Sequence, residues 1–256
     1  MSSVGLKSSV QNQFNQAAAN YSTSPIHASG PDLAVMLKVA QLTGQEQLLD
    51  AGSGTGHTAL TFAPHVRQVI AVDLSEKMLG QGRELAGKRN LDNIDFRQGD
   101  VEQLPFDAAT FDVITTRYSA HHWPNPLAAL AEFRRVLRPN GRLLLGDIVS
   151  SEEYLIDTHF QTIELLRDPS HVRDHTQEQW LEMLDKAGFH TEVAHRWEVE
   201  IDFTSWIQRI NTPPQHAAMI RTILAEAPEE VKSALKVQPD SSFTMQAALL
   251  RAVPHL

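Results

Sequence analysis

Short apolar runs alternate with longer stretches of helical periodicity through the first 150 residues. The runs 47-QLLDA-51, 68-QVIAVD-73, 94-IDFRQ-98, 111-FDVITT-116 and 142-RLLLGDI-148 predict five strands. Between them, 56–65, 75–90 and 126–139 carry helical spacing. Strands that take turns with helices build βαβ units and a parallel sheet. The unbroken apolar character of QVIAV and RLLLG suits strands covered on both faces. Ser75 is placed to cap its helix, and 139-PNG-141 predicts a stop before the fifth strand.

After residue 150 the pattern changes. Ile156, Phe160 and Ile163 set a helical stripe within 152–168. A second helix spans 176–188, opened by Thr176 with Gln179 three residues on and closed by Gly188. A strand over 191–201, an irregular helical stretch over 203–236 and a last strand over 242–252 complete the pattern. No internal repeat interrupts it.

Composition narrows the class. The chain has 256 residues, 42% hydrophobic and 21% charged, as in ordinary globular proteins. No apolar run approaches the roughly 20 residues needed to cross a bilayer. The polar N-terminus has no apolar core like that of a secretory signal, so a cytoplasmic address is expected. With no cysteine, disulfides, thiolate metal sites and cysteine nucleophiles drop out together. A net charge of −9 argues against a nucleic-acid partner, whose affinity rests on neutralising phosphates.

The candidate chemistry centres on 48-LLDAGSGTGHTAL-60, at the carboxyl end of the first strand, where open parallel sheets bind ligands. A dinucleotide fingerprint wants its third glycine one residue later, and a phosphate-binding P-loop needs a following Lys. Here the glycines stand at 52, 54 and 56, and position 57 is His. Acids accompany the loop: Asp50 inside it, Asp73 ending the second strand, Asp100 after the third and Asp112 opening the fourth. Asp73, 21 residues after Gly52, is placed to accept from ribose hydroxyls. Asp50 suits a cationic amine. Asp100 suits an exocyclic amine, with the Val101 amide on a ring nitrogen. Carboxylates around one pocket repel phosphate and favour a ligand carrying ammonium and sulfonium, which describes S-adenosylmethionine.

In order and spacing, LLDAGSGTGHTAL, VIAVDLSEKML, GDVEQLPF, FDVITTRYSAHHW and RVLRPNGRLLLGD resemble the class I S-adenosylmethionine-dependent methyltransferases. The small-molecule branch that includes ubiquinone and menaquinone biosynthesis methyltransferases is the most similar, over residues 10 to 200. The resemblance implies an α/β, Rossmann-like, seven-stranded sheet, mostly parallel, whose last strand runs antiparallel between the fifth and sixth. It implies one domain over 1–256, with its core at 30–150, 176–202 and 242–252 and lid elements at 8–28, 150–175 and 203–236. Asp50, Gly52, Gly54 and Gly56 would form the methionine-end loop and Asp73 would hold the ribose. Leu74 and Met78 would flank the adenine, with Asp100 and Val101 on its edge. Thr116 would offer a carbonyl to the ligand ammonium, and Tyr21, in 14-FNQAAANYS-22, would close over the cofactor. His57 departs from the small or aliphatic residues common at that position.

The acceptor side carries fewer signals. His121 or His122, in 117-RYSAHHWPNP-126, can serve as a base if the acceptor holds its proton, though a loop histidine stacked on Trp123 explains them as well. In 167-RDPSHVRDH-175, no complete metal-ligand set accompanies His171, Arg173 and His175, so no metal is expected. Instead Arg173 and His171 would face the acceptor and read an anionic group. The expected activity is methyl transfer from S-adenosylmethionine, leaving S-adenosylhomocysteine, to an oxygen, nitrogen or carbon of a small molecule. The expected assembly is a monomer or homodimer. The competing readings are a dinucleotide-dependent oxidoreductase and a binding protein that keeps the cofactor loop without transfer.

Overall fold

The computed structural model describes residues 5–22 and 28–255; residues 23–27 of the expected lid element fall outside these. The strands are β1 (Gln47–Ala51), β2 (Gln68–Asp73), β3 (Ile94–Gln98), β4 (Phe111–Arg117), β5 (Leu137–Val149), β6 (Phe189–Ile201) and β7 (Phe243–Pro254). They form one seven-stranded sheet in the order β3-β2-β1-β4-β5-β7-β6. β1 to β5 pair in parallel, and β7 runs antiparallel to both β5 and β6, as the resemblance implied.

Alternation along each strand sends neighbouring side chains to opposite faces. Leu49, Ile114 and Leu143 face one layer, where they pack with Phe133, Trp180 and Leu184. Leu48, Val69 and Leu144 face the other, with Met36, Leu60 and Leu79. The first layer is made by helices α5 (Pro126–Val136) and α7 (Gln177–Lys186), the second by α2 (Pro31–Ala40), α3 (His57–Phe62) and α4 (Glu76–Lys88). Each fully buried Leu or Phe in these layers contributes roughly 1.5–3 kcal/mol of apolar burial.

The local signals hold at the helix starts. Ser75 Oγ accepts from the Met78 amide, and Thr176 and Gln179 form a complete capping box. One boundary differs. The segment 139-PNG-141 lies inside β5, because Leu137 already pairs with Phe111 and the register shifts between Phe111 and Val113. A bulge absorbs the turn residues without ending the strand. At Gly141 a Cβ would stand 2.7 Å from Leu137, so the bulge requires glycine.

Above the carboxyl ends of the strands sits a helical roof. It comprises α6 (Tyr154–Arg167), α8 (Phe203–Arg209), α9 (Pro214–Glu226) and α10 (Glu229–Ala234), the last three within the stretch expected to be irregular. Ile156, Phe160 and Ile163 of α6 pack with Trp206 and Ile220, and with Val199 and Met245 where β6 and β7 extend past the main sheet. The N-terminal helix α1 (Leu6–Ser22) bridges roof and sheet. Its Tyr21 and Ala17 meet Met78 of α4 and Ile210 after α8. No helix among the described residues is long and apolar enough to cross a membrane.

Candidate functional site

The site begins with the turn out of β1. Gly52, Gly54 and Gly56 all have positive φ, where L side chains are strained. At Gly52 a Cβ would lie 2.0 Å from Ser119 Oγ, so the loop passes the turn after β4 in close contact. At Gly56 it would lie 2.8 Å from the Phe96 ring, on the packing side. Much of the loop's donor capacity is used internally. Ser53 N donates to Val72 O, Gly56 N to Ser53 O and Gly54 N to Asp73 Oδ2 at 2.8 Å. A phosphate-binding loop keeps such amides for its ligand. This loop spends them on the carbonyls of Val72 and Ser53 and on a carboxylate.

Above the loop opens a cavity of about 890 Å³, continuous with solvent, in the range of nucleoside and cofactor sites. Gly52, Gly54, Asp73, Leu74 and Met78 line it from β1, β2 and α4, and Asp100 and Val101 from the turn after β3. Tyr21 lines it from α1. The remaining cofactor candidates stand outside the lining. Asp50 is buried behind the loop, where it accepts from the Ala59 amide at 3.0 Å and the Thr115 hydroxyl at 2.9 Å. Burial pushes its carboxyl up to about 7 against these bonds. Asp50 therefore braces β1 to α3 and β4. Gly56 turns toward Phe96. Thr116 lies one residue short of the wall, which Arg117, Tyr118 and Ser119 supply. Asp112 sits at the opposite end of β4, accepting from Gln47 N and pairing with Arg138 at 2.5 Å.

Asp73 ties the site together. Its Oδ1 accepts from Ser75 N and its Oδ2 from Gly54 N, both at 2.8 Å, which leaves acceptor capacity on a residue that lines the cavity. Burial raises its pKa, and the two amide bonds oppose the rise. Asp100 accepts from Glu102 N at 2.9 Å and pairs with Lys7 of α1 at 2.5 Å; Lys7 also reaches Glu102 at 2.6 Å. Lys7 has no partner near it in the chain, and only the fold brings it here. His57 gains a function too. A carbonyl can only accept, so its Nε2–H donates to Tyr21 O at 3.3 Å and ties the glycine loop to the end of α1.

Arg117, buried against Asp32 and stacked 4.5 Å from the Tyr118 ring, anchors the turn after β4. Tyr118 then takes a φ of 51°, uncommon for a non-glycine residue, and the chain swings Ser119 toward Gly52.

A second chamber of about 550 Å³ adjoins the first. Phe14, Tyr21, Tyr118 and His122 line both. Its lining combines the apolar Ile148, Val199, Ile201, Trp206 and Met245 with the polar His121, Glu164, Arg167, Asp174 and Arg209.

The two histidines differ in charge. His121 Nδ1 stands 2.8 Å from Asp147, which also accepts from Ala120 N and Ile148 N. Burial opposes a charge on His121, but the hydrogen-bonded Asp147 carboxylate overcomes it and pushes the imidazole up to about 9. One ligand-type atom each of His121, Asp147 and Asp174 lies within 4.8 Å of the others. With both Asp147 oxygens engaged by amides and by His121, this geometry holds an imidazolium. His122 is pulled down by burial and then by the charge on His121, so it is neutral near pH 7. Its Nδ1–H donates to Ser170 O at 3.2 Å, leaving Nε2 unprotonated.

The two residues expected to read the acceptor stand elsewhere. His171 lines neither cavity; its Nε2 faces Gln161 at 3.1 Å, and burial with the neighbouring histidines pushes it down to about 2. Arg173 is held by Asp157 at 2.6 Å, and Asp157 is itself fixed by Ser150 and Gln161. The arginines of the chamber are Arg167 and Arg209, which lie on amphipathic roof helices and carry no local motif.

Known proteins share these features. A methyltransferase-domain family matches residues 49–145. The uncharacterized methyltransferase YcgJ of Bacillus subtilis is 34% identical over 94% of this chain and 97% of its own, and its crystal structure superposes with a TM-score of 0.84 over 88% and 98% of the two chains. A crystal structure from Bacillus halodurans C-125 is 34% identical, with a TM-score of 0.85 over 89% of this chain and 100% of that one. The ubiquinone/menaquinone biosynthesis C-methyltransferase UbiE of Teredinibacter turnerae is 35% identical over 44% of this chain and 47% of its own. Together with a seven-stranded sheet of this order and a glycine loop bound to its own carboxylate, the likeness settles the family: the chain belongs to the class I S-adenosylmethionine-dependent methyltransferases.

Proposed function

We propose that the protein moves a methyl group from S-adenosylmethionine to a small molecule held in the second chamber. The observation that carries this reading is the shared wall: two adjoining cavities, one lined by Asp73 and Asp100 and one that mixes apolar with charged side chains, meet at Phe14, Tyr21, Tyr118 and His122. Transfer from a sulfonium is an in-line displacement, so it needs donor and acceptor at one junction from which water is kept out.

When bound, S-adenosylmethionine supplies a methyl group made electrophilic by the positive sulfonium. Asp73 would accept from the ribose hydroxyls, and Leu74 and Met78 would flank the adenine. Asp100 and Val101 would meet its polar edge, with Lys7 holding Asp100 in place. Gly52 and Gly54 would let the backbone approach the methionine end. Phe14 and Tyr21, in edge contact at 5.4 Å, close the junction from α1. Where the acceptor holds a proton, His122, which lines both chambers, would take it on Nε2, its unprotonated nitrogen, 3.9 Å from Asp168 Oδ2. His121, already carrying its proton and paired with Asp147, would orient His122 and supply positive charge.

Labelled methyl transfer from S-adenosylmethionine to a small-metabolite extract tests the reading, with Asp73→Ala as the control for the donor site. Label in a small molecule that disappears with the variant supports it. Tight donor binding with no label in any fraction would return the chain to the class of binding proteins.

A further inference from the structure

Resting on that reading, we propose that Arg209 recognises an anionic group on the acceptor, so that the acceptor is an apolar-bodied compound with one carboxylate-type head. The two arginines of the chamber are used differently. Arg167 is fully engaged: its guanidinium contacts Glu164 at 3.3 Å, donates to Trp206 O at 3.2 Å and stacks 4.9 Å from the Trp206 ring. It also hydrogen-bonds the Tyr21 side chain. The Arg209 guanidinium, half-buried in the same wall, has no hydrogen-bond or ion-pair partner among the described residues.

Arg209 is nonetheless held in position. The carbonyls of Arg209 and Ile210 accept from Asn20 at 3.1 Å and Gln13 at 2.8 Å, so α1 clamps the end of α8. A guanidinium fixed against apolar surface without a counter-ion is costly, and a bidentate carboxylate is the partner that best relieves it. Burial, and then the like charge of Arg167, lower the Arg209 pKa, in keeping with an unmet demand for an anion. The nearby acids do not supply one. Glu164 is spent on Arg167, and burial raises the Asp174 carboxyl well above its ordinary value. Arg209 lines the second chamber and not the first, so the donor's own carboxylate is not its partner. The same chamber, of about 550 Å³, is also lined by Ile148, Val199, Ile201 and Met245, apolar side chains suited to a ring or an acyl chain.

Calorimetric titration of the full chain with 2-naphthoate and its uncharged amide, 2-naphthamide, tests the assignment, with and without S-adenosylhomocysteine. The acid should bind at least about 10-fold more tightly than the amide, the scale of one charge-assisted pair. Arg209→Gln should bring the two within about 2-fold, and Arg209→Lys, which keeps charge without the fork, should restore part of the gap. S-adenosylhomocysteine affinity and melting temperature, both unchanged in the variants, would show that the fold is intact. Equal affinity for the two probes, binding of neither, or an undiminished preference in Arg209→Gln overturns the proposal. Failure to bind S-adenosylhomocysteine overturns the methyltransferase reading instead, while the titrations without it still decide the anion site.

Discussion

Single residues in the donor cavity do two jobs at once. Asp73 secures the glycine loop and the start of α4 through two amides and keeps lone pairs for a ligand. Its replacement, Asp73→Ala, should weaken S-adenosylhomocysteine binding about 10- to 100-fold, the loss of bonds to a charged acceptor worth about 1.5–3 kcal/mol. Titration calorimetry on variant protein with native circular dichroism checks this, and unchanged affinity would sink the ribose assignment. Gly52 makes a separate case. A methyl group there would meet Ser119 Oγ at 2.0 Å on a backbone of φ +68°, so both space and conformation are refused. The variant Gly52→Ala should cost about 1–3 kcal/mol and lower the melting temperature by roughly 2–10 °C, with ligand affinity falling alongside. A melt unchanged from the parent would show that the loop moves aside.

Among the elements, α1 decides whether the site is covered. It crosses from the sheet to the roof on polar clamps: Lys7 to Asp100 and Glu102, Gln11 to Leu74 O, Asn15 to Ser75, and Gln13 and Asn20 to the end of α8. These bonds are part-exposed, and loosely held elements are the ones that open. Lys7→Met removes the clamp nearest the adenine edge. It should speed S-adenosylhomocysteine release several-fold, measured by stopped-flow fluorescence, while leaving the melting temperature within about 1–2 °C, as surface pairs contribute little to stability. An unaltered release rate would mean that α1 does not gate the donor cavity.

For the molecule as a whole, the buried charges set a pH response. His121 titrates at about 9 in the folded chain against an ordinary value of 6.5, so the folded state holds its proton more tightly than the unfolded one. The stabilisation is complete below about pH 6.5 and is lost as pH rises toward 9. Asp50, raised to about 7, works in the same direction at lower pH, with stability falling between its ordinary value of 3.8 and 7. From pH 7 to 9 the remaining slope belongs to His121 together with Asp174, whose carboxyl is raised well above its ordinary value, and the part due to His121 should amount to at most about 3 kcal/mol. Denaturant midpoints should fall across that interval in the parent and fall less steeply in His121→Asn. A parent curve with no slope there would mean that Asp147 does not hold His121 charged.

How much of this was legible before folding follows from the range of the signals. Strands, helix caps and the glycine loop are written in residues that act within a few positions of themselves: apolar runs, Ser75, Thr176 with Gln179, and glycines that alone tolerate a left-handed backbone. Those features could be assigned from the chain itself, and the sheet order came from the family resemblance they carry. Which acids face the ligand could not. Asp50 and Asp112 occupy strand ends as Asp73 does, yet one turns behind the loop and the other lies at the opposite end of the central strand β4, because register and strand direction decide where a side chain points. The same holds for the arginines. Arg173 stood in a suggestive local cluster and is spent on Asp157, whereas Arg209, on an unremarked helix, is brought to the chamber by packing. Lys7 meets Asp100 across 93 positions. The amino-acid sequence by itself determined the strands, the caps and the glycine loop; tertiary structure decided which side chains share the second chamber, since its lining is assembled from α1, the turn after β4 and the roof, whose proximity no local pattern encodes.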